Sequence, residues 1–410
     1  MINVGILKYF SKIFYNFLYV TFGLFIIFAF WGVFCNENKL KNENKCPAME
    51  IIMKNRISIL DGLRFVSILL VMLFHYYSRF YGEKYTYSID TSSVFHFGYL
   101  GVQLFFIISG FVITMTLMNC DRLITFFKKR FIRLVPGMLV CATLTFLIVL
   151  IFDTENLFPD SGRLGNLLLS YTFLKPGSIN EIFGSDFRYI DGAYWSLWVE
   201  ITFYIVVSIL YFINKKKLLR NYFVFAMGAA ITHYIFASSI GKSVLLSIIP
   251  ESIYNMIYRV IDFFNLAEMA LWFLLGMILL KLYNNKNSKK YFILFTAVFL
   301  FQTLLIFNLT TFIFCIFSYI ILITFIYKPE WLSLLSKPLI AKLGLVSYSI
   351  YLIHQNIGVL IINKLLPIFN RLDILLPILP MVLLCIFGLI SYKYLEKPIS
   401  QILKNFMRLN

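Results

Sequence analysis

The sequence predicts an all-α membrane protein that crosses the bilayer many times. Of its 410 residues, 60% are hydrophobic and 19% are aromatic, whereas only 14% are charged. With a mean hydropathy of +0.81, a soluble protein of this length would lack the polar residues to cover its surface. The apolar residues also fall into runs of about 17 to 25, the length that a helix needs to cross a hydrocarbon core of roughly 30 Å. These observations exclude a soluble globular protein.

Ten apolar runs follow residue 56, and each one is long enough to form a transmembrane helix. The ten predicted helices run approximately over residues 58–80, 97–119, 134–152, 193–213, 221–240, 265–282, 291–307, 310–327, 343–363 and 374–394. They place a transmembrane domain at residues 56–398, between an N-terminal extension at 1–55 and a cytoplasmic tail at 399–410.

Lysine and arginine residues concentrate in alternate loops between the predicted helices. Of the 37 in the chain, 25 lie in one set of loops, which includes residues 122–133 and 215–220, and nine lie in the opposite set. Because basic loop residues are retained on the cytoplasmic side of a membrane, both ends of the core are predicted to be cytoplasmic. The longest loop, 153–192, is then outside, and it could form a lid or a rim beside a substrate. The formal charge of +17 follows from this topology and does not indicate a nucleic-acid partner.

An eleventh apolar run, at residues 13–35, precedes the ten-helix core. Three interpretations stay open: an additional transmembrane helix, a signal sequence, or a stretch upstream of the true translation start at Met49 or Met53. Lys8 and Lys12 would lie on the unfavoured side of an additional helix, whereas the run is too long for the apolar core of most signal sequences.

The six cysteine residues stand at positions 35, 46, 120, 141, 315 and 385. They show neither a Cys-x-x-Cys spacing nor a neighbouring histidine. We therefore predict that they are packing residues, and that the protein uses neither a metal ion nor a framework of disulfide bonds.

The first predicted core helix contains three ionisable residues, Asp61, Arg64 and His75. Such residues cost roughly 2.5–3.5 kcal/mol each inside a bilayer on insertion scales, and they indicate function by default. Arg64 and His75 are eleven residues apart, so they share a helix face at depths that differ by about 16 Å. An imidazole can accept a proton from an alcohol and return it to a leaving group, which makes His75 the candidate base. The alternative is that His75 only hydrogen-bonds a neighbouring helix and Arg64 extends to the headgroups.

Polar residues in three other segments complete the set of candidate site residues. Glu200 lies about two turns inside the fourth predicted helix and needs a partner, for which Arg64 and His75 are candidates. Arg130 and Arg133 stand one turn apart on an amphipathic segment, where they either clamp a phosphorylated ligand or only anchor the topology. Three polar residues of the ninth predicted helix fall on one face: Ser347, Tyr351 and His354.

Five motifs together resemble the acyltransferase 3 family of bacterial integral-membrane acyltransferases, over roughly residues 56–398. In chain order they are LDGLRFVSILLVMLFH, GYLGVQLFFIISGFVIT, FFKKRFIRLVP, WSLWVEITFY and LGLVSYSIYLIHQ. The first is similar to the family's first helix, in which ten residues separate an arginine from a histidine. The third is similar to a basic pattern with two arginines spaced by three. Each motif alone is weak, but five in the same order are specific.

The resemblance implies transfer of an acyl group, commonly acetyl from acetyl-CoA, to a carbohydrate hydroxyl at or across the bacterial cytoplasmic membrane. It implies that His75 is the essential catalytic histidine, that Arg64 is its partner and that Glu200 is a supporting carboxylate. The side chains expected to bind the phosphates of an acyl-CoA are Lys128, Lys129, Arg130 and Arg133. The remaining supporting residues are expected to be Asp61, Ser347, Tyr351 and His354.

The chain departs from the family pattern at Gln103, where an acidic residue is frequent, and at Ile201 and Thr202, where many members are more polar. Two alternatives to an acyltransferase stay open: a polysaccharide transporter or flippase, and a non-catalytic component of a glycan export complex. Transporters often contain inverted repeats, and the two halves of this chain show no convincing correspondence. For an acyltransferase, His75 either activates the acceptor hydroxyl for direct attack or becomes acylated itself.

Overall fold

The computed structural model of this chain describes residues 58–369 and 373–408. The apolar run at residues 13–35 lies outside them, so its three interpretations stay open. Within the described part of the chain every regular element is helical, and an isolated bridge between Tyr81 and Tyr85 is the sole β contact. The predicted fold class, an all-α protein that crosses the membrane many times, is confirmed.

Each of the ten predicted membrane segments contains a helix, as expected where lipid leaves the backbone no other hydrogen-bonding partners. These helices are α1 (Ser58–Phe74), α2 (Gly101–Met118), α3 (Leu123–Phe152), α4 (Trp195–Ile213), α5 (Leu218–Ala237), α6 (Ala270–Asn284), α7 (Lys289–Leu305), α8 (Leu309–Tyr327), α9 (Ser347–Leu365) and α10 (Ile378–Ser391), and α11 (Lys397–Phe406) follows them. Shorter helices lie in the connections, at Ser92–Phe95, Leu164–Ser170, Pro176–Phe183, Ser239–Ile248, Glu251–Phe264 and Pro338–Leu345.

Seven helical segments among the described residues are long and apolar enough to cross a membrane. An eighth is added if Lys215–Ala237 and Ser239–Ile248, which meet at a bend of 89°, are counted as one span. Helix α6 is apolar but has only 15 residues, and α7 has 17, whereas a crossing needs about 20. The predicted count of ten spans is therefore not confirmed, because apolar runs in a sequence do not show where a helix bends or stops.

Helices α2 and α6 form the centre of the bundle, and nearly every residue of α6 is buried. Two glycines let their backbones touch. A Cβ on Gly110 would overlap the carbonyl oxygen of Phe273, and one on Gly276 would overlap that of Ile107. Small residues at helix crossings are a common way for membrane helices to pack, because close approach increases van der Waals contact.

Apolar side chains cover the outside of the bundle. On α3, Leu150, Ile151 and Phe152 are each more than half exposed, and so are Phe317 and Ile320 on α8. On a soluble protein such side chains would form an aggregation-prone patch. Around this bundle they face the region that lipid tails fill.

The two ends of the bundle bring together different segments. The end of the bundle at which α1 and α3 begin is called the basic end. There, Arg133 Nη2 donates a hydrogen bond to Leu345 O over 3.3 Å. At the opposite end the loop 153–192 meets α9, where Lys364 Nζ lies 3.0 Å from Glu155 Oε1. The charge bias of the loops predicts that the basic end is cytoplasmic.

Candidate active site

A cavity of about 460 Å³ lies between α1, α2, α3, α4 and α9, and extends from Arg130 and Arg133 at the basic end to Val102 and Ser196 in the first turns of α2 and α4. Five charged side chains line it: Asp61 and Arg64 from α1, Arg130 and Arg133 from α3, and Glu200 from α4. Three arginines against two carboxylates leave an excess of positive charge, which favours an anionic ligand. The hydroxyl-bearing residues of the wall are Ser109, Thr116, Ser196, Tyr204, Ser347, Tyr348 and Tyr351.

Arg64 is oriented by Asp61, one turn earlier on α1. Arg64 Nη1 donates to Asp61 Oδ1 over 2.8 Å, and the exposed fractions of the two side chains are 25% and 4%. The carboxylate therefore partly neutralises the guanidinium inside the bundle. A guanidinium has five N–H donors, so Arg64 can hold this contact and still donate to a ligand in the cavity.

Arg130 and Arg133 reach the cavity from α3 and lie over aromatic rings. The guanidinium of Arg130 is 5.9 Å from the centre of the Phe126 ring, and that of Arg133 is 5.5 Å from the centre of the Tyr348 ring. The Nε of Arg130 is buried and makes no hydrogen bond within the described residues. A buried N–H without a partner costs about 1–3 kcal/mol, so an acceptor oxygen of a ligand would be stabilised here.

The two neighbouring lysines do not line the cavity. Lys129 Nζ lies 3.5 Å from Cys120 Sγ, and Lys128 Nζ donates to Met407 O over 3.0 Å, just after α11. At about 100° per residue, Lys128 points about 160° away from Arg130 around the helix, whereas Lys129 is close in direction to Arg133 but contacts Cys120 instead. The structure thus separates Lys129 from the two arginines with which the sequence grouped it.

Glu200 accepts a hydrogen bond from Ser109 Oγ over 2.6 Å. Of the two candidate partners, Arg64 interacts with Glu200 through its charge, but the hydrogen-bond donor is Ser109. The reason is that α2, which carries Ser109, packs against both α1 and α4 and therefore supplies the near side chain. Glu200 faces the same cavity as Arg64 but is not bonded to it.

His75 lies just beyond the end of α1 and contacts His354 of α9. The Nδ1 of His75 is 2.8 Å from Val71 O and 3.3 Å from the Nε2 of His354. The Nδ1 of His354 is 2.7 Å from Tyr351 O, and the two imidazole rings meet edge to face at 4.8 Å between centres. His354 is fully buried, whereas His75 is half-buried, and the side chain of Gln355 also interacts with His75.

These contacts assign the protons of the pair. A backbone carbonyl only accepts hydrogen bonds, so the Nδ1 of His354 carries a hydrogen and its Nε2 is an acceptor in the neutral ring. The Nδ1 of His75 faces two acceptors, Val71 O and His354 Nε2, and it therefore carries a hydrogen as well. The Nε2 of His75 keeps its lone pair and is the nitrogen that can act as base or nucleophile.

The backbone around the histidine pair is irregular and is held by tyrosines. Residues His75–Arg79 form a π-helical turn, a feature often found at functional sites. The carbonyl of Tyr76 accepts hydrogen bonds from the hydroxyls of Tyr85 and Tyr87, at 3.1 and 2.8 Å. The hydroxyl of Tyr76 donates to His354 O over 2.7 Å. One tyrosine therefore links the backbones that carry both histidines.

Tyr351 lies between the cavity and the histidine pair. Its side chain lines the cavity, and its ring centre is 5.2 Å from that of His354. Its hydroxyl donates to Ala193 O over 2.8 Å and lies 2.8 Å from Ser196 Oγ. Neither His75 nor His354 lines the cavity.

The predicted site residues are thus divided between two neighbouring places. Arg64 and Glu200 share the cavity, whereas His75 lies beyond its wall with His354. The other predicted residues that line the cavity are Asp61, Arg130, Arg133, Ser347 and Tyr351.

Sequence reasoning missed Asp191, which ties the loop 153–192 to α9. Its carboxylate accepts from the backbone N–H of Ala193 over 2.9 Å and from that of Asn356 over 3.1 Å, two residues after His354. Complete burial raises the pKa of this carboxyl to about 7, and the two N–H contacts oppose that effect. The feature of the sequence that could have identified Asp191 is the Asp-Gly pair just before the fourth predicted helix, because aspartate is common at the start of a helical turn.

Comparison with known proteins gives one family and two curated relatives. The family described as "Acyltransferase domain" matches residues 57–391. Acyltransferase MdmB of Streptomyces mycarofaciens is 29% identical over 182 residues, which cover 43% of this chain and 44% of that protein. The O-acetyl transferase of Shigella phage Sf6 is 27% identical over 220 residues, which cover 52% of this chain and 62% of that protein. The matches therefore span about half of the curated relatives, and no solved structure matches.

Proposed function

The chain belongs to this family of acyltransferases, and from that premise we propose that it is a multi-pass membrane O-acyltransferase with the following substrates. The donor is acetyl-CoA or another acyl-CoA. The acceptor is a hydroxyl of a cell-surface or exported carbohydrate, and the enzyme works in the bacterial cytoplasmic membrane. The name of the phage relative, an O-acetyl transferase, supports acetyl as the group that is moved.

The proposal rests on one observation, the arginine-lined cavity at the basic end. Coenzyme A is polyanionic and cytosolic, and the loop charges predict that this end is cytoplasmic. Arg130 and Arg133 are suited to bind its phosphates, because guanidinium groups donate several charge-assisted hydrogen bonds to phosphate oxygens. The buried Nε of Arg130 is one donor that such an oxygen would satisfy. The acyl-bearing arm would then extend past Arg64 toward Tyr351.

His75 supplies the chemistry through its Nε2. In one route this nitrogen takes the proton of the acceptor hydroxyl, whose oxygen attacks the thioester carbonyl carbon; the C–S bond breaks, and the proton passes to the leaving thiolate. In the other route Nε2 itself attacks the carbonyl carbon, the C–S bond breaks and the thiolate leaves; the acceptor hydroxyl oxygen then attacks the acyl carbon, the C–N bond to the imidazole breaks, and the hydroxyl proton passes to the thiolate. Both routes use the same tautomer of His75.

The decisive experiment compares the wild type with His75→Ala after purification in detergent. It measures CoA release from acetyl-CoA and acyl transfer to a pool of glycans from the native host. We expect the substitution to lower both rates by about 10²–10⁴, the usual contribution of a general acid or base. His233→Ala is the matched control, because His233 lies on α5 and its ring contacts only Tyr234 among the described aromatic rings.

Two results would contradict the proposal. Folded His75→Ala with wild-type activity would remove His75 from the chemistry. Folded wild type that releases no CoA from any of several acyl donors would instead favour a transporter or a non-catalytic component of an export complex.

A further inference from the structure

We propose that the side chain of Tyr351 is a gate between the donor cavity and the His75–His354 pair. In its closed position it keeps the thioester away from the histidines until the acceptor is in place, and so limits loss of the acyl group to water. This inference rests on the proposed function, because it assumes an acyl donor in the cavity.

The Tyr351 ring contacts both of the places that must exchange the acyl group. It forms part of the cavity wall next to Phe105, with 6.0 Å between the ring centres. Its ring centre is also 5.2 Å from that of His354, which in turn contacts His75. In the proposed gate, a thioester in the cavity reaches His75 when the Tyr351 ring moves aside.

The side chain of Tyr351 can move while its helix stays fixed. The carbonyls of its neighbours on α9 are held from outside the helix: Leu352 O accepts from the hydroxyl of Tyr194 over 3.0 Å, and His354 O accepts from that of Tyr76 over 2.7 Å. The Tyr351 side chain is held by its hydroxyl, through Ala193 O and Ser196 Oγ. A change of rotamer that releases this hydroxyl opens the wall without displacing the histidine pair.

A closed wall would protect the donor from hydrolysis, because His75 is only half-buried. Water that reaches His75 would be activated by the same Nε2 as the acceptor hydroxyl, and hydrolysis of the donor would follow. Exclusion of water from a reactive intermediate is one established benefit of closing an active site. The hydroxyl contacts of Tyr351 provide that closure in the donor-facing wall.

The test measures two rates for each variant: CoA release from acetyl-CoA without acceptor, and acyl transfer with the host glycan pool. Tyr351→Phe keeps the ring and removes the hydroxyl, whereas Tyr351→Ala removes the wall. The quantity compared is the rate of CoA release without acceptor divided by the rate of acyl transfer. We expect this ratio to rise by about tenfold in Tyr351→Phe, the effect of losing hydrogen bonds of ordinary strength, and to rise further in Tyr351→Ala. Tyr258→Phe, at an exposed tyrosine of Glu251–Phe264, is the matched control and should keep the wild-type ratio.

An unchanged ratio in folded Tyr351→Phe and Tyr351→Ala would overturn the gate, even if both rates fall, because a purely structural role lowers the two rates together. If Tyr351→Ala fails to fold, the ratio in Tyr351→Phe decides alone. Failure of the proposed function is seen separately, in the wild type and His75→Ala, as CoA release that is absent or independent of His75.

Discussion

At the scale of single residues, the contact between His75 and His354 determines which nitrogen can react. Val71 O and His354 Nε2 both face the Nδ1 of His75, so its Nε2 keeps the lone pair. His354 does not line the arginine-lined cavity, and its own Nδ1 is occupied by Tyr351 O. We therefore expect His354 to be a positioning residue that acts through His75.

Substitution of His354 should lower turnover without weakening donor binding. We expect His354→Ala to reduce kcat by up to about 100-fold, as misplacement of a reacting group can, with little change in the KM for acetyl-CoA. His354→Gln should retain more activity, because its side-chain oxygen can accept from His75 Nδ1. Steady-state kinetics of the two variants check this. A rise in KM at constant kcat, or equal losses in both variants, would argue against a positioning role.

At the scale of elements, the crossing of α2 and α6 fixes the centre of the bundle. Gly110 and Gly276 place each helix backbone against the other, with Phe273 O and Ile107 O as the nearest atoms. Helix α2 also carries Ser109, the hydrogen-bond donor to Glu200. A shift of this crossing would therefore change the arginine-lined cavity as well as the core.

Gly276→Ala should destabilise the protein, because its Cβ would overlap Ile107 O and the two backbones would have to separate. Overpacking of this kind typically costs about 1–3 kcal/mol. Gly228→Ala in α5 is the matched control, since nothing lies within 4 Å of its Cβ position and alanine favours a helix over glycine by about 1 kcal/mol. Thermal unfolding in detergent should give a lower midpoint for Gly276→Ala and an equal or higher one for Gly228→Ala. Equal midpoints for the two variants would show that the crossing can relax.

At the scale of the whole molecule, the charge bias of the loops predicts the orientation on which donor access depends. Lys216 lies exposed in the connection between α4 and α5, and Glu181 lies exposed in the loop 153–192. The positive-inside rule places Lys216 in the cytoplasm and Glu181 outside. The arginines of the cavity then face the compartment that contains acyl-CoA.

Labelling of introduced cysteines in intact cells checks this orientation. A membrane-impermeant maleimide should label Glu181→Cys directly and Lys216→Cys only after the membrane is permeabilised, with wild type as the control for the native cysteines. The opposite pattern would place the arginine cavity outside the cell, where a cytosolic thioester could not enter it.

The sequence by itself determined the fold class, the helical segments and the five charged side chains of the cavity. Apolar run length and loop charge are properties of the chain and the bilayer together, so they can be interpreted without knowing which helices are neighbours. Four charged residues were recognisable from the sequence: Arg64, Arg130, Arg133 and Glu200. An ionisable group near or within a membrane span costs free energy, so its presence indicates a functional role.

Only the tertiary structure decided which of these residues meet. His75 and His354 are 279 residues apart in the chain, and the wall formed by Tyr351 and Ser196 joins two different helices. Glu396 lies just after the tenth predicted helix, yet it is buried and accepts hydrogen bonds from Ser349 and Ser391. The physical reason is that helix periodicity defines the faces of each helix separately, whereas the partner of each face is set by packing across the bundle, to which segments distant in the chain contribute.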